Sequence, residues 1–508
     1  MAYSPTTWAL LTFSFVWLLL KVVRKPKHPE YPPSPKKPWP IIRNVPHVPT
    51  SRPWLTYTAW GKEHNNKPLH LEALGQHMII LNNVDDAIEL MEKRSSIYSD
   101  KPDMPLMTLM GLDFNATFLR YGNIWREHRK AFQLGFRKEM IGTYHPIIEL
   151  ETNKFLRRLI AHPKDLKEHC QFFPASIVMS IVYGHELESS EDPILVTTKR
   201  AIQLGNPTIM TGALLMITFP VLLNIPRWLP GGGFHDVAAR SRKAISEMIE
   251  MPYAIVKDRM QNGVDKPSLV QDLLEKQEAK GVDDESVLKN VAGSAFGAGV
   301  DTTDCALGTL FLALSLHPEV QKRARSEIAS VTGMTRLPVF NDRPSLPYVE
   351  AICRELRRWR PEAPAGVPRA TSQDDIYQGY FIPKGSMIFF NTWGMTHNPD
   401  IYPDPEEFKP ERFLNTDGSL NDDDCHLTFG FGRRICPGRY LASDIVWLAA
   451  VRIIATLELS DPKDPATGES IDLDKHQYSN ETLSHPPRFI CTIKSTEYAD
   501  NLLRSEEE

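Results

Sequence analysis

The chain opens on an uncharged run. No charged side chain precedes Lys21, and residues 8–20 are apolar except for Thr12 and Ser14. This is close to the ~20 residues that cross a bilayer as a helix. The basic start and small-residue cleavage site of a removable leader are absent. Lys21, Arg24, Lys25 and Lys27 follow the run instead, an arrangement that leaves the rest of the chain on the cytosolic side. Residues 1–23 are therefore expected to be a retained single-pass transmembrane anchor. Seven prolines between Pro26 and Pro40 come next. They exclude a helix and predict a stiff, extended hinge over residues 24–49.

Further along, residues 203–226 are again uncharged, but Pro207, Pro220 and Pro226 interrupt them, so a spanning helix is not expected. A buried helix pair with a loop, or a loop dipping into the membrane surface, both fit. From Asp283 a helix is predicted, with Asp283, Asp284, Glu285 and Ser286 as capping and first-turn residues. It runs to His317, where Pro318 marks the next boundary. Residues 334–348 read as loop and 349–359 as helix. Strands are expected over 376–382 and 386–391, irregular chain over 398–413, and a helix over 442–457. No internal repeat is visible. The pattern predicts a mainly α protein with small β-sheets (α+β), ending in an acidic tail over 499–508 that frays.

Composition narrows the class. The 508 residues would ordinarily suggest about three domains. A net charge of -5 gives no electrostatic reason to bind nucleic acid. The six cysteines are scattered, with no CxxC pair, so neither a disulfide framework nor a zinc knuckle is expected. Sparse unpaired cysteine suits a reducing compartment.

One cysteine stands in a special context. Phe429-Gly430-Phe431-Gly432-Arg433-Arg434-Ile435-Cys436-Pro437-Gly438 places it in a glycine-permitted turn ahead of a helix. Glycines let the backbone approach a flat ligand closely. Amides, the helix start and nearby arginines favour a thiolate, and heme iron is a metal that takes one anionic sulfur ligand. The string matches Phe-x-x-Gly-x-Arg-x-Cys-x-Gly, and on these residues the chain resembles the cytochrome P-450 family. A chance match in a chain this long is on the order of one in ten thousand.

Other motifs follow in the family's order. Ala298-Gly299-Val300-Asp301-Thr302-Thr303 resembles its oxygen-activation motif; a mid-helix threonine can bond back four residues, and the resemblance gives Asp301 and Thr302 the role of proton delivery. Glu355-Leu356-Arg357-Arg358 matches Glu-x-x-Arg, and Pro410-Glu411-Arg412-Phe413 supplies the third member of the family's structural triad, Glu355, Arg358 and Arg412. Trp125-Arg126-Glu127-His128-Arg129 resembles Trp-x-x-x-Arg. The resemblance makes Trp125, Arg129, Arg369 and Arg434 propionate partners, with Phe429 and Gly438 also against the heme and Cys436 on the iron. It points for substrate contacts to residues 103–118, 205–219, 294–298, 363–367 and 478–484, which include Met104, Leu106, Met107, Phe114, Phe118 and Phe296. Such apolar lining implies a lipophilic substrate.

Because Trp125, Thr302, Glu355 and Cys436 must meet at one cofactor, residues 50–498 are expected to form one large catalytic domain of the cytochrome P-450 fold. The resemblance implies a monooxygenase with heme b, in the endoplasmic reticulum membrane with its catalytic domain cytosolic. It would insert one oxygen atom of O2 into a lipophilic small molecule, with a likeness to fungal secondary-metabolism members. Electrons would come from NADPH through NADPH-cytochrome P-450 reductase, with cytochrome b5 as a second candidate donor. Arg126, Lys130, Arg433 and Arg439 are candidates for the docking face. The alternatives are a heme-thiolate isomerase or dehydratase that needs no external electrons, against which Asp301-Thr302 argues, and a non-enzymatic heme protein.

Overall fold

Long apolar segments bounded by proline and glycine give the architecture its helices. The computed structural model describes residues 28–205, 216, 220–279 and 284–504. The anchor, the first residues of the hinge, most of 203–226, the cap residue Asp283 and the last four residues lie outside the described residues. The helices of ten residues or more are α1 (Pro53–Glu63), α2 (Asn123–Phe136), α3 (His145–Ala161), α4 (Leu166–Tyr183), α5 (Pro193–Gly205) and α6 (Phe234–Gln261), then α7 (Leu269–Glu278), α8 (Ser286–Leu316), α9 (Pro318–Thr332), α10 (Pro347–Trp359) and α11 (Arg439–Thr456). Among the described residues, no helix is long and apolar enough to cross a membrane.

α8 starts where Asp284 Oδ1 accepts the Ser286 amide at 2.9 Å, and it stops before Pro318, which opens α9. α4 ends at Gly184, whose φ of 59° belongs to the left-handed region that glycine adopts freely. α11 is buried on almost every side. With α3, α4 and α8 it forms the main core, in which the Phe155 and Phe173 rings stack at 4.5 Å and Trp447 is fully buried. α10 begins two residues earlier than expected and ends at Trp359 as expected. The expected loop before it contains a short 3-10 turn, Phe340–Ser345.

The sheets are small. β1 (Leu69–Ala73) and β2 (Gln76–Leu81) are antiparallel; β2 runs parallel to β6 (Met387–Phe390), and β6 pairs antiparallel with β3 (Arg369–Ala370). Chain segments some 300 residues apart are thereby joined edge to edge. The strand expected over 376–382 is a hairpin, β4 (Asp375–Tyr377) and β5 (Tyr380–Ile382), because Gln378 and Gly379 turn the chain at positive φ. β7 (Leu457–Lys463) pairs with β8 (Ile490–Ser495).

The described part of the proline-rich segment lies along this structure. The Glu30 carbonyl accepts from the Phe381 amide at 2.8 Å and the Pro33 carbonyl from the His70 amide at 3.0 Å. Tyr31 stacks on His70 at 4.5 Å, and His70 Nε2 meets His77 Nδ1 across the β1–β2 pair at 2.9 Å. Burial, with His77 and Arg43 adding to it, pushes the His70 ring down to about 3. In the unfolded chain the ring titrates near 6.5. Between those values the unfolded chain takes up a proton that the folded one refuses. Stability present above pH 6.5 is therefore lost as the pH falls toward 3. His70→Gln should flatten the fall in melting temperature between about pH 7 and about pH 4.5; a slope identical to the parent's in thermal denaturation would refute this.

Candidate active site

The Cys436 loop is shaped by two glycines. Gly430 (φ 82°) and Gly432 (φ 53°) both take the left-handed region. At Gly432 a Cβ would collide with the Met91 carbonyl. The turn closes where the Cys436 amide donates to the Phe429 carbonyl at 2.9 Å. Arg129 Nη1 donates to the Ile435 carbonyl at 2.7 Å, and Arg439 Nη1 to the Cys436 carbonyl at 3.0 Å. Gly438, the residue before α11, faces open space: a Cβ there would meet nothing within 4 Å. Burial pushes the Cys436 thiol up, while the Gly438 amide, Arg129 and Arg439 pull it back. A thiolate in this setting is favoured by a bound metal cation, which deprotonates a coordinating thiol outright.

Beside the loop lies an excess of buried positive charge. Arg369, placed by the short strand β3, is 2% exposed. Its Nη2 donates to the Phe431 carbonyl at 2.6 Å, and its Nη1 is buried without a partner. Arg434 donates to the carbonyls of Ser99, Ala116 and Leu119 and lies 4.4 Å over the Trp125 ring. Lys101, absent from the sequence-derived candidates, is also buried and donates to the Pro368 carbonyl at 2.7 Å. Burial, with Arg369 and Arg434 adding to it, holds the Lys101 ammonium well below its usual range. Burial and Arg434 bring Arg369 down to about 9, and burial above all brings Arg434 to about 10. Among the described residues none of Lys101, Arg129, Arg369 and Arg434 makes an ion pair. The nearby Asp100 is committed to Arg120 at 2.7 Å. Buried charges are ordinarily paired, so this cluster suits an anionic ligand with more than one carboxylate. A heme, with two propionates and an iron for Cys436, fits the donors present.

Asp301 and Thr302 sit midway along α8. The Thr302 hydroxyl donates to the Ala298 carbonyl at 2.8 Å, the back-bond expected of it, and the helix continues unbroken through the motif. Ala298 is exposed although buried residues flank it along the helix; Ala295, Thr302 and Ala306 are half-buried. At this spacing they form one stripe, so that face of α8 borders open space lined by small side chains. Asp301 Oδ1 lies 3.3 Å from His485 Nε2. α8 packs on α11, the helix that follows the Cys436 loop.

The Glu355, Arg358 and Arg412 triad forms as expected. Arg358 Nε and Nη2 meet the two Glu355 oxygens at 2.6 and 2.8 Å, and Arg412 Nε lies 3.2 Å from Glu355 Oε1. The Lys409 amide adds a fourth donor at 2.7 Å. The remaining guanidinium donors go to carbonyls of the irregular segment and of the short helix Thr392–Thr396 before it: Thr396, Pro405 and Glu407 from Arg358; Pro403, Asp404 and Glu407 from Arg412. The triad thus shapes the chain that leads into the Cys436 loop.

Of the apolar residues expected near a substrate, Leu106 packs with Met110, Met216 and Phe234, Phe114 with Ala244 and Met248, and Phe296 belongs to the main core against Tyr183. Most of 205–219 lies outside the described residues. Phe429 contributes its carbonyl to the turn, and its ring faces Arg357. Lys101 and His485 escaped the sequence reading because each reaches the site from a loop with no local spacing signal. Asp304, one turn on from Asp301, was the visible hint that this face of α8 carries more than one acid.

A family model described as Cytochrome P450 matches residues 32–479. The chain is 40% identical over 496 residues to cytochrome P450 monooxygenase COX1 of Coprinopsis cinerea, covering 95% of each protein. It is 39% identical over 477 residues to cytochrome P450 monooxygenase ple1 of Rhodocybe pseudopiperita, covering 93% of this chain and 90% of that protein. Cytochrome P450 monooxygenase 208 of Postia placenta is 36% identical over 471 residues, 91% of this chain and 90% of its own.

Removing the Glu355 charge would strand two guanidinium groups. Glu355→Gln should cost about 3–5 kcal/mol and lower both the melting temperature and the heme retained on purification. A variant with parental stability and heme content would show that the triad does not hold the loop.

Proposed function

The chain belongs to the cytochrome P450 family and is a cytochrome P450 monooxygenase, and from that premise we propose that it oxygenates a lipophilic secondary metabolite at a membrane surface. The observation that carries the reading is the pairing of the Cys436 turn with buried Lys101 and Arg369 and half-buried Arg434, none of which makes an ion pair among the described residues. Cys436 would ligate the iron; Lys101, Arg129, Arg369 and Arg434 would hold the propionates, with Trp125 stacked on Arg434. When bound, the heme supplies the redox chemistry, taking electrons singly and activating dioxygen.

The protein's part is orientation and protons. The Thr302 hydroxyl, fixed by the Ala298 carbonyl, offers a proton position at Oγ1 on the accessible stripe of α8. The Asp301 carboxylate supplies the neighbouring proton carrier. The small side chains of the stripe leave room for a ligand and offer it no charge, which favours an apolar substrate. Retention of the acid–threonine pair favours the oxygen-activating reading over an isomerase.

Electrons would arrive from NADPH through NADPH-cytochrome P-450 reductase, with cytochrome b5 as a second donor. Arg126, Lys130 and Arg433 are exposed and suit an acidic partner, whereas Arg439 is committed to the Cys436 carbonyl. Residues 1–23 would anchor the protein in the endoplasmic reticulum membrane. The relatives named above are fungal, which supports a secondary-metabolic substrate.

The deciding experiment incubates reductase-supplemented membranes with a host metabolite extract and NADPH. One-oxygen mass gains that vanish without NADPH are expected; their absence would count against the reading. Thr302→Ala should shift electron flow from product to hydrogen peroxide, and unaltered coupling in that variant would remove Thr302 from the reaction. Deleting residues 1–20 should release the protein from the membrane fraction with its heme spectrum intact.

A further inference from the structure

Asp301 does not stand alone on the side away from Thr302. Its Oδ1 lies 3.3 Å from His485 Nε2; His485 Nδ1 lies 3.9 Å from Asp304 Oδ2; and Asp304 Oδ2 meets Lys167 Nζ of α4 at 2.5 Å. Side-chain exposure falls from 54% at Lys167 to 3% at Asp304 and rises again to 19% at His485 and 30% at Asp301. One end therefore touches solvent and the other reaches the accessible face of α8. His485 Nδ1 and Asp304 Oδ1 are buried without a hydrogen-bond partner, so the middle of the line has unused capacity for a proton or a water.

The histidine is held in place from both sides. Cys305 Sγ donates to the Ser484 carbonyl at 3.0 Å, and the Ser484 amide donates to the Glu362 carbonyl at 2.8 Å. The His485 amide donates to Ser479 Oγ at 3.1 Å. On the other side Pro486 sits so close to Gly308 that a Cβ there would come within 2.9 Å of its Cγ. This loop is bolted to α8 one turn on from Asp301, at a separation along the helix that fixes the imidazole between two carboxylates.

We propose that His485 is the positioning residue that returns protons to Asp301, at the inner end of a charged line that begins with Lys167 at the surface. In the step, the Nε2–H bond of the imidazolium breaks and an O–H bond forms on Asp301 Oδ1. The ring is left neutral with its remaining proton on Nδ1, which lies 3.9 Å from Asp304 Oδ2 and makes no hydrogen bond to it. To reset, the ring changes tautomer, one proton leaving Nδ1 and one from water joining Nε2; a further proton from solvent beside Lys167 then adds to Nδ1 and restores the imidazolium. Imidazole suits the task because one ring nitrogen can give up a proton while the other holds one. The proposal rests on Asp301 acting as the proton carrier of the monooxygenase.

The test uses the full-length holoenzyme with reductase. His485→Gln should lower product formed per NADPH by about tenfold, raise hydrogen peroxide to match, and enlarge the solvent deuterium isotope effect on product formation. Lys167→Gln should move the same readouts in the same direction by a smaller factor, and it serves where His485→Gln loses its heme spectrum. A readout independent of turnover is histidine-selective 15N NMR of the carbon monoxide-bound ferrous protein, in which Asp301→Asn should move the His485 Nε2 resonance. Parental coupling and isotope effect in both His485→Gln and Lys167→Gln, or a His485 resonance indifferent to Asp301→Asn, would overturn the proposal. Failure of the parent protein to consume NADPH would instead overturn the monooxygenase reading, and the NMR measurement would still decide the contact.

Discussion

A fully buried carboxylate governs much of this molecule. Glu355 has no access to water, and an unpaired charge there would be prohibitive. Its pairing with Arg358 within α10 is local, but Arg412 and the Lys409 amide come from chain more than 50 residues further on. Satisfying one carboxylate therefore fixes where a long irregular segment must lie. The guanidinium groups have more donors than Glu355 can accept, and most of the surplus binds carbonyls of that same segment. The irregular stretch has little regular secondary structure to hold it, and these charge-assisted bonds stand in for a ladder.

The opposite imbalance operates a short distance away. Lys101, Arg369 and Arg434 are gathered without a carboxylate of their own, and burial pulls each of them below its normal range. A protein that orders three desolvated cations together stores an electrostatic demand that an anionic ligand relieves. Sulfur at Cys436 is in a complementary position: burial disfavours its charge, and a metal would restore it. One region lacks anions and the other lacks a cation, and a single molecule bearing carboxylates and iron answers both. The charge distribution thus predisposes the fold to one kind of cofactor before any shape argument is made.

The legible part of the sequence was the part with local spacing. The turn around Cys436, the threonine four residues after Ala298 and the Glu355–Arg358 pair each sit within a few positions of their partners, and the structure places them in the expected elements. The hairpin at Gln378-Gly379 looks like one strand in sequence, because a two-residue turn barely disturbs the apolar pattern. Lys101 and His485 carried no such pattern: one belongs to the site through β3 and the 434 loop, the other through a loop pinned to α8 from the far end of the chain. Their partners are set by tertiary packing, to which residue order gives no direct guide. The apolar residues near the site show the same limit, since Leu106 and Phe296 look like lining in sequence and are core in space.

The bond from Phe381 to the Glu30 carbonyl sets a length scale. It is the first backbone tie between the N-terminal segment and the body of the fold, among the described residues. With the proposed anchor ending at residue 23, seven residues separate lipid from that tie. Even fully stretched, they reach about 25 Å, close to the radius of gyration of roughly 23 Å expected for a chain of this length. Such an anchor would keep the catalytic body on a short leash, in a shell next to the bilayer and restricted in how far it could roll. Encounters with the proposed membrane-bound electron donor would become a search in two dimensions, and a hydrophobic metabolite dissolved in the lipid would not need to cross open water to reach it.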